Sequence, residues 1–215
     1  MAELTGDDPL HIRVISAGIT SIDHTWNYQD VRSPYWRFYV NSRDGASAVV
    51  AGRRHPLSAG RIHLLPAWMI FTCHNTAPIV HLHARFEVLG LAASLVRDLF
   101  PLPISLGIEP ELERGARHAA RVLSSADAVG PDDRLEIKAL IHRALGRAFA
   151  QLPADRRSAL GRMLGSAGPL AAAIQAIHGR IDQTHANEEL ARACGMSEDH
   201  FIKVFRTTIG QTPAQ

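Results

Sequence analysis

The sequence predicts an α+β protein in which a β-rich half is followed by helices. Between His11 and about Val88, short runs of β-branched and aromatic residues are separated by Gly, Pro, Asn and Asp, a spacing typical of a sandwich or barrel of roughly eight strands. Near Leu91 the apolar period changes from two to 3.6, which predicts helices from there on. The stretch from Asn187 to Pro213 then has the spacing of a helix-turn-helix.

The composition is that of a globular protein. Its 215 residues are 46% hydrophobic, and 23 Lys and Arg against 21 Asp and Glu give a net charge of +2, which neither favours nor excludes nucleic acid. The N-terminus is acidic, and no run approaches the roughly 20 apolar residues of a membrane span. Cys73 and Cys194 are far apart among apolar neighbours, as expected of reduced thiols. We therefore expect a cytoplasmic protein with no membrane partner.

Two segments of the β-rich half give hints of its shape. The segment from Asn41 to Gly45 is predicted to form a hairpin turn, because Gly permits positive φ. The segment from Gly60 to Pro66 resembles the second half-motif of the cupin family, in which a Gly opens a strand that ends at Pro. Trp68 stands where that motif has its glycine, and the metal-binding histidine is out of register. The resemblance is therefore to the shape of a cupin barrel, or jelly roll, rather than to its metal chemistry.

The sharpest chemical signal is the segment from His81 to Glu87, which is predicted to be a strand with two different faces. The polar face carries His81, His83, Arg85 and Glu87, and the apolar face carries Val80, Leu82, Ala84 and Phe86. The polar residues match the His-x-His-x-x-x-Glu core of cupin metal sites, and two imidazoles roughly 7 Å apart can share a metal. A metal-dependent cupin enzyme using His81, His83 and Glu87 is therefore kept as an alternative. The main expectation is a face that is solvated or lines a ligand cavity, with no metal and no cofactor.

We expect the β-rich half to bind a small-molecule effector inside the barrel, since ligand pockets combine apolar walls with a few polar groups. The candidates are aromatic or polar residues on predicted strands that could point inward. They are Trp36, Phe38, His74, His81 and His83, with Trp26 beside them.

A series of helices is predicted next. The first begins at Leu91 and is ended by the Pro101-Leu102-Pro103 breaker, which sets the first domain boundary. Three amphipathic segments follow, namely Glu111–Ser124, Asp132–Leu152 and Asp155–Leu164. The middle segment carries an apolar stripe of Leu135, Leu140, Ile141, Leu145, Ala148, Phe149 and Leu152. Such stripes are expected to pack within the chain, and the sharper hypothesis is that part of one forms a homodimer. The segment from Ser166 to Leu170 is small and flexible, and a supporting helix with the stripe Leu170, Ile174, Ile177 and Ile181 follows it.

The helix-turn-helix prediction depends on residue types at fixed spacing. Ala191 is small where two helices cross, Gly195 permits a left-handed turn, and Phe201 begins the apolar face of the second helix. Ser197 can cap that helix, which is predicted to run from Glu198 to about Thr208 and to stop at Gly210. Its other side is left open for DNA. The predicted DNA-binding residues are Ser197, Glu198, Asp199, Ile202, Lys203 and Arg206.

The run from Gly195 to Pro213 resembles the first recognition segment of the AraC family of transcription activators, including its tail Gly210-Gln211-Thr212-Pro213. The resemblance is specific from Leu170 to Gln215 and looser over the rest, where that family often carries a cupin-type sensor domain. It implies a non-enzymatic regulator of transcription whose partners are DNA and an effector. It also implies base contacts from Asp199, Ile202 and Lys203. The expected domains are a sensor over residues 1–100, a helical connector over 101–166 and the helix-turn-helix over 167–215.

Three features depart from that family. Its members usually continue into a second helix-turn-helix, whereas this sequence ends at Gln215, so only the first is expected. Residues 168–215 carry four basic against five acidic side chains, a net charge of −1, which is poor for phosphate binding. Ala186 stands where Ser or Thr usually caps the first helix, which is expected to begin at Asn187. Specific DNA binding is therefore expected only from a homodimer, and a truncated module that dimerises without binding DNA is kept as an alternative.

Overall fold

The structure is a computed structural model that describes residues 10–125, 128–165, 170, 172–173, 176–177, 185–209 and 212–213. Its contacts divide the chain into two compact units, which are described separately. The first, called the sheet unit, comprises Ile12–Val88 and Val96–Leu152. The second, called the helix-turn-helix unit, is built mainly from Pro153–Gln215.

Two β-sheets form the sheet unit. The larger has the strand order β1-β7-β2-β5-β8 and the smaller has the order β4-β3-β6. Their bounds are β1 His11–Ile22, β2 Trp36–Asn41, β3 Ala46–Val50, β4 Arg53–Pro56, β5 Arg61–Leu65, β6 Thr72–Asn75, β7 Ile79–Leu89 and β8 Ile104–Gly107. The central strand β2 pairs antiparallel with both β5 and β7. The predicted α+β class, with a sheet-rich first half and helices after it, is confirmed.

A hydrophobic core joins one face of the larger sheet to the smaller sheet. Its buried members are Ile22, Tyr39, Ala46, Ala48, Val50, Leu57, Leu65, Met69, Phe71, Cys73 and Ile79. We call this the inner core, and we call the face of the larger sheet that contributes Tyr39 and Leu65 the inner face. Because side chains alternate along a strand, Phe38 lies on the opposite, outer face of β2.

Helices cover the outer face of the larger sheet. They are α2 Pro110–Ser124 and α3 Pro131–Ala150, whereas α1 Ala93–Leu99 comes before them in the chain and α4 Ala154–Gly165 follows in the other unit. Phe38, Leu82 and Ala84 of the sheet lie with residues of α2 and α3 around a void of about 10 Å³. That is about the space of one water-sized sphere, so the sheet and the helices are closely packed.

The four helices predicted between Leu91 and Leu164 are found within about two residues of their expected limits, but one strand was not predicted. β8 follows the Pro101-Leu102-Pro103 breaker and pairs with β5, with Leu64 opposite Ile104. The predicted stripe of α3 is also wrong at Leu135, which is 66% exposed. The buried face is formed instead by residues at helical spacing, Ile137, Leu140, Ile141, Ala144, Leu145 and Ala148.

The segment from Asn41 to Gly45 is a turn, but the predicted hairpin is wrong. β2 lies in the larger sheet and β3 in the smaller one, so this turn carries the chain from one sheet to the other. The Ser42 N–H donates to the carbonyl of Val80 at 3.0 Å, which continues the pairing with β7 for one more residue. Gly45 has φ of +139°, the kind of backbone that favours glycine.

Within the described ranges, no helix combines the length and the apolar character needed to cross a membrane.

Candidate functional sites

The turn of the helix-turn-helix is closed by backbone hydrogen bonds. The first helix, α5, spans Asn187–Ala193 and the second, α6, spans Glu198–Ile209. The Met196 N–H donates to the carbonyl of Ala191 at 2.9 Å, and the Gly195 N–H donates to that of Arg192 at 3.0 Å. These two bonds form a Schellman motif, which needs a left-handed residue after the helix. Gly195 supplies it with φ of +66°, as the sequence predicted.

A small apolar core sets the relative position of the two helices. Its buried members are Leu170, Ala173, Leu190, Ala191, Phe201 and Phe205. Cys194, Met196 and Val204 pack against it and are partly buried. The supporting stripe is described at Leu170 and Ile177, whereas Ile174 and Ile181 lie outside the described residues, as do Gly210 and the linker before Leu170.

Both helix starts follow the sequence. α5 begins at Asn187 without a side-chain cap from Ala186. Ser197 precedes α6, and its hydroxyl accepts from the His200 N–H at 3.4 Å, a long hydrogen bond. The carbonyl of Ser197 accepts from the Phe201 N–H at 2.8 Å and so begins the regular helical pattern.

The predicted DNA-binding residues at the start of α6 and along it are exposed, with one exception. Ser197, Glu198, Asp199, Lys203 and Arg206 are exposed. Ile202 is only partly exposed and packs against the small core, so part of its side chain is used within the protein. The first turn of α6 is acidic and its last turn basic, a distribution that complements the helix dipole.

The inner face of the larger sheet carries a row of polar residues. Across β2 and β7, Asn41 is opposite His81, Tyr39 is opposite His83, and Arg37 is opposite Arg85. Opposite residues share a face. The predicted alternation of β7 is therefore present, with Leu82, Ala84 and Phe86 on the outer face.

His81 is buried in this row and is held by Asn41. Its Nδ1 lies 2.6 Å from Asn41 Oδ1, while Asn41 Nδ2 donates to the carbonyl of Leu57 at 2.7 Å. The amide nitrogen of Asn41 donates to Leu57, so the atom that faces His81 is the amide oxygen, which can only accept. Nδ1 of His81 must therefore carry the proton. Burial, with a smaller effect of His83, lowers the pKa of His81 to about 3. His81 is therefore a neutral imidazole at physiological pH.

The structure does not bring the five effector candidates together. His81 and His83 are neighbours on the inner face, with ring centroids 5.7 Å apart. Trp36 and Phe38 lie on the outer face, where Trp36 stacks with Phe86 at 6.1 Å. His74 pairs with Ser47 in the smaller sheet, at positions that alternate with the inner-core residues of that sheet. Trp26, by contrast, lies 5.5 Å from His81.

Glu87 is not gathered with the two histidines. Its carboxylate accepts from Arg13 Nε at 2.8 Å, and His83 Nε2 lies 3.2 Å from the hydroxyl of Thr20. Within the described parts of the chain, no three His, Cys, Asp or Glu side chains are grouped as a metal ion would need. No observation on these residues favours the metal-dependent alternative.

Sequence reasoning missed Arg37, which is the buried cation of the inner face. It is 9% exposed, its Nη2 donates to Ser33 Oγ at 2.7 Å, and its guanidinium lies over Tyr35 and Phe71 at 4.8 and 5.2 Å from their ring centroids. The signal was present in the run Trp36–Asn41, where bulky apolar residues alternate with Arg37, Tyr39 and Asn41. Such alternation predicts a strand with one polar face.

Residues 188–215 match the family described as bacterial regulatory helix-turn-helix proteins, AraC family. No curated protein matches the chain. Among solved structures, ToxT from Vibrio cholerae is 10% identical with a TM-score of 0.38, covering 96% of this chain and 97% of that one. The AraC-like transcriptional activator CuxR is 12% identical with a TM-score of 0.42, covering 93% and 71% respectively. The similarity to the AraC family of bacterial helix-turn-helix regulators therefore lies in the C-terminal segment, over residues 188–215.

Proposed function

We propose that the chain regulates transcription by sequence-specific DNA binding through α6, under the control of a small molecule bound by the sheet unit. The observation that carries the DNA-binding part is the α5–α6 pair itself, with its Schellman turn at Gly195 and its apolar core, inside the segment that matches the family. A helix-turn-helix places its second helix in the major groove with base-contacting side chains near its start. The exposed Asp199 and Lys203 are suited to that role.

The electrostatics of this segment favour two copies. Non-specific affinity for DNA comes mainly from neutralised phosphates, and residues 168–215 carry a net charge of −1. One such segment therefore gains little from counterion release. A homodimer presents two recognition helices to a repeated site, and the second contact then becomes an intramolecular step. We accordingly propose that the regulator acts as a homodimer, with α2 and α3 as the candidate region for pairing.

The experiment for the DNA-binding part starts with selection of a binding site from random duplexes, followed by fluorescence anisotropy at fixed salt. Lys203→Ala removes an exposed cation of α6 and is expected to weaken specific binding about 10- to 100-fold, since a base contact contributes about 1–3 kcal/mol. Arg192→Ala is the matched control, because Arg192 is an exposed cation on α5. It is expected to change specific affinity less than threefold, within the span of a screened surface charge.

Equal losses for the two variants would contradict the assignment of α6 as the recognition helix. Sedimentation of the complex gives its stoichiometry, and specific binding by a single copy would contradict the homodimer.

The support for effector binding lies in the inner face. Polar residues in the interior of a domain cost free energy unless something satisfies them. This row places the buried Arg37 and His81 on one surface with the partly buried His83 and the exposed Arg85. Ligand sites combine such polar groups with apolar walls. Here the apolar walls are supplied by Trp26, Tyr39 and Phe71.

A further inference from the structure

Arg37 is a buried cation for which the described part of the chain supplies no anion. It is 9% exposed, and its hydrogen-bond partner is the neutral hydroxyl of Ser33. None of the ion pairs found among the described residues includes it. Arginine is rarely buried to this degree unless it is paired, because the desolvation of a charge is costly. Among the described residues, no acidic side chain therefore compensates the charge of Arg37.

The surroundings of Arg37 increase the positive charge rather than compensate it. Arg85 is its direct cross-strand neighbour, and like charges opposite each other destabilise a sheet. Both guanidinium groups lie over the Tyr35 ring, at 4.8 Å for Arg37 and 5.7 Å for Arg85. Cation–π contacts with Tyr35 and Phe71 offset part of the cost, but they bring no negative charge.

The phenol of Tyr35 responds to the same field. Its pKa is lowered by a hydrogen bond with Ser33 and by the positive charges of Arg37 and Arg85. A lowered phenol pKa means that the site stabilises negative charge on an oxygen atom. The hydroxyls of Ser33 and Tyr35 and the two guanidinium groups thus form one connected group with an exposed edge at Arg85.

We propose that this group binds the carboxylate of a small organic acid, held between Arg37 and Arg85 with the Tyr35 hydroxyl as a further donor. The planar fork of a guanidinium matches a carboxylate with two parallel hydrogen bonds. Nη2 of Arg37 donates to Ser33 Oγ at 2.7 Å, which orients the fork and leaves its other N–H groups for the carboxylate. The inference rests on the proposed function for its regulatory meaning and gives the effector its chemical class.

The test measures binding without DNA. All three tryptophans, Trp26, Trp36 and Trp68, lie in the sheet unit, so their fluorescence follows the unfolding of that unit in the full chain. The probes are sodium acetate, hexanoate and benzoate, with sodium chloride at equal ionic strength and hexanol as controls. At least one carboxylate is expected to raise the unfolding midpoint well beyond chloride and hexanol. If none does, the inference is overturned.

Three variants locate the site. Arg85→Gln removes the exposed guanidinium and is expected to weaken carboxylate binding at least tenfold, since a charged hydrogen bond contributes about 1.5–3 kcal/mol. Arg37→Met keeps an unbranched apolar stem but removes the guanidinium, and it is expected to abolish binding. Arg53→Gln, an exposed arginine of β4, is the matched control and should bind like the wild type. A response of Arg37→Met equal to that of the wild type would overturn the proposal.

The stability of ligand-free Arg37→Met separates a binding role from a structural one. Replacing an unpaired buried charge by an apolar side chain is expected to leave the midpoint unchanged or raise it. A fall of more than about 6 °C would correspond to the loss of a satisfied buried charge and would count against a ligand site. DNA affinity is then measured with and without the bound acid. Binding without any effect on DNA would leave this inference standing and contradict the proposed regulation.

Discussion

The two units of this protein differ in where their candidate binding residues lie, at the surface in one unit and in the interior in the other. In the helix-turn-helix unit, the charged residues of α6 are exposed around a core of a few apolar side chains. In the sheet unit, Arg37, Asn41 and His81 are buried beside the inner core. Substitutions of surface residues usually change the free energy of unfolding by less than about 0.5 kcal/mol, whereas substitutions of buried polar groups change it by more. Binding and stability are therefore expected to be separable in the helix-turn-helix unit and coupled in the sheet unit.

The largest effect is expected from Phe201→Ala. Phe201 is fully buried in the core of the helix-turn-helix, and deletion of such a ring costs about 3–5 kcal/mol. A core of this size cannot absorb that loss, so α5 and α6 should unfold and DNA binding should disappear. Far-ultraviolet circular dichroism should show lost helix, while the unfolding midpoint from tryptophan fluorescence stays that of the wild type.

The corresponding substitution in the sheet unit is Phe38→Ala, since Phe38 is also buried and only 2% exposed. It should lower the fluorescence midpoint. If Phe201→Ala moved that midpoint by as much, the two units would unfold together and the contrast between them would fail.

The second effect concerns pH. The pKa of His81 is lowered from 6.5 to about 3 in the folded protein by burial, so the unfolded chain takes up a proton below pH 6.5 that the folded one does not. Stability is therefore full above about pH 6.5 and is lost as the pH falls, by up to about 1.4 kcal/mol per pH unit. Urea unfolding followed by tryptophan fluorescence between pH 6.5 and 4.5 measures this slope.

His81→Gln is expected to reduce that slope. A residual slope should remain, because burial also lowers the pKa values of His63 and His83. An unchanged slope in His81→Gln would mean that His81 is not the buried neutral histidine described above.

A smaller effect is expected at the turn. Gly195 has φ of +66°, and no other group lies within 4 Å of the position that a Cβ would occupy. The cost of Gly195→Ala is therefore the backbone term alone, about 1–2 kcal/mol. Circular dichroism should show a lower midpoint for the helix-turn-helix unit, and Gly195→Asn should recover part of it because Asn tolerates this region better. A wild-type midpoint for Gly195→Ala would argue against the Schellman turn.

The smallest effect is expected from Arg192→Ala. Arg192 pairs with Glu188 one turn earlier on α5 at 2.8 Å, and both side chains are more than 70% exposed. Pairs of this kind contribute about 0.3–0.5 kcal/mol. The unfolding midpoint should fall by a degree or so at low salt and by less at high salt. A large, salt-independent loss would show that surface charge is not separable from stability in this unit.

The helix-turn-helix could be predicted because its determinants are local. Gly195, Ser197 and Phe201 lie within one short stretch, and each acts on a backbone that is close by in sequence. β8 could not be predicted in the same way, since four residues after a proline breaker give no period, and their partner strand lies far back in the chain. The same reason explains the wrong hairpin at Asn41–Gly45, where local turn chemistry is correct but the sheet changes.

Which face of the sheet each site residue occupies could not be predicted, for a related reason. Because side chains alternate along a strand, Trp36 and Arg37 lie on opposite faces, but the alternation does not predict which of the two faces the smaller sheet. Only the register of β2 against β7 decides this, and it places Arg37, not Trp36, beside His83 and Arg85. The two histidines were found because their spacing is unusual, whereas a lone arginine in an aromatic strand carried no comparable signal.

The late position of β8 in the chain has a consequence for synthesis on the ribosome. β5 lies between β2 and β8 in the larger sheet, so one of its edges stays open until Gly107 has left the exit tunnel. Open edges of apolar strands are sites of intermolecular pairing, and Ile62, Leu64 and Leu65 of β5 are all buried in the finished sheet. Nascent chains released before Gly107 should therefore aggregate, and chains released after α3 should not.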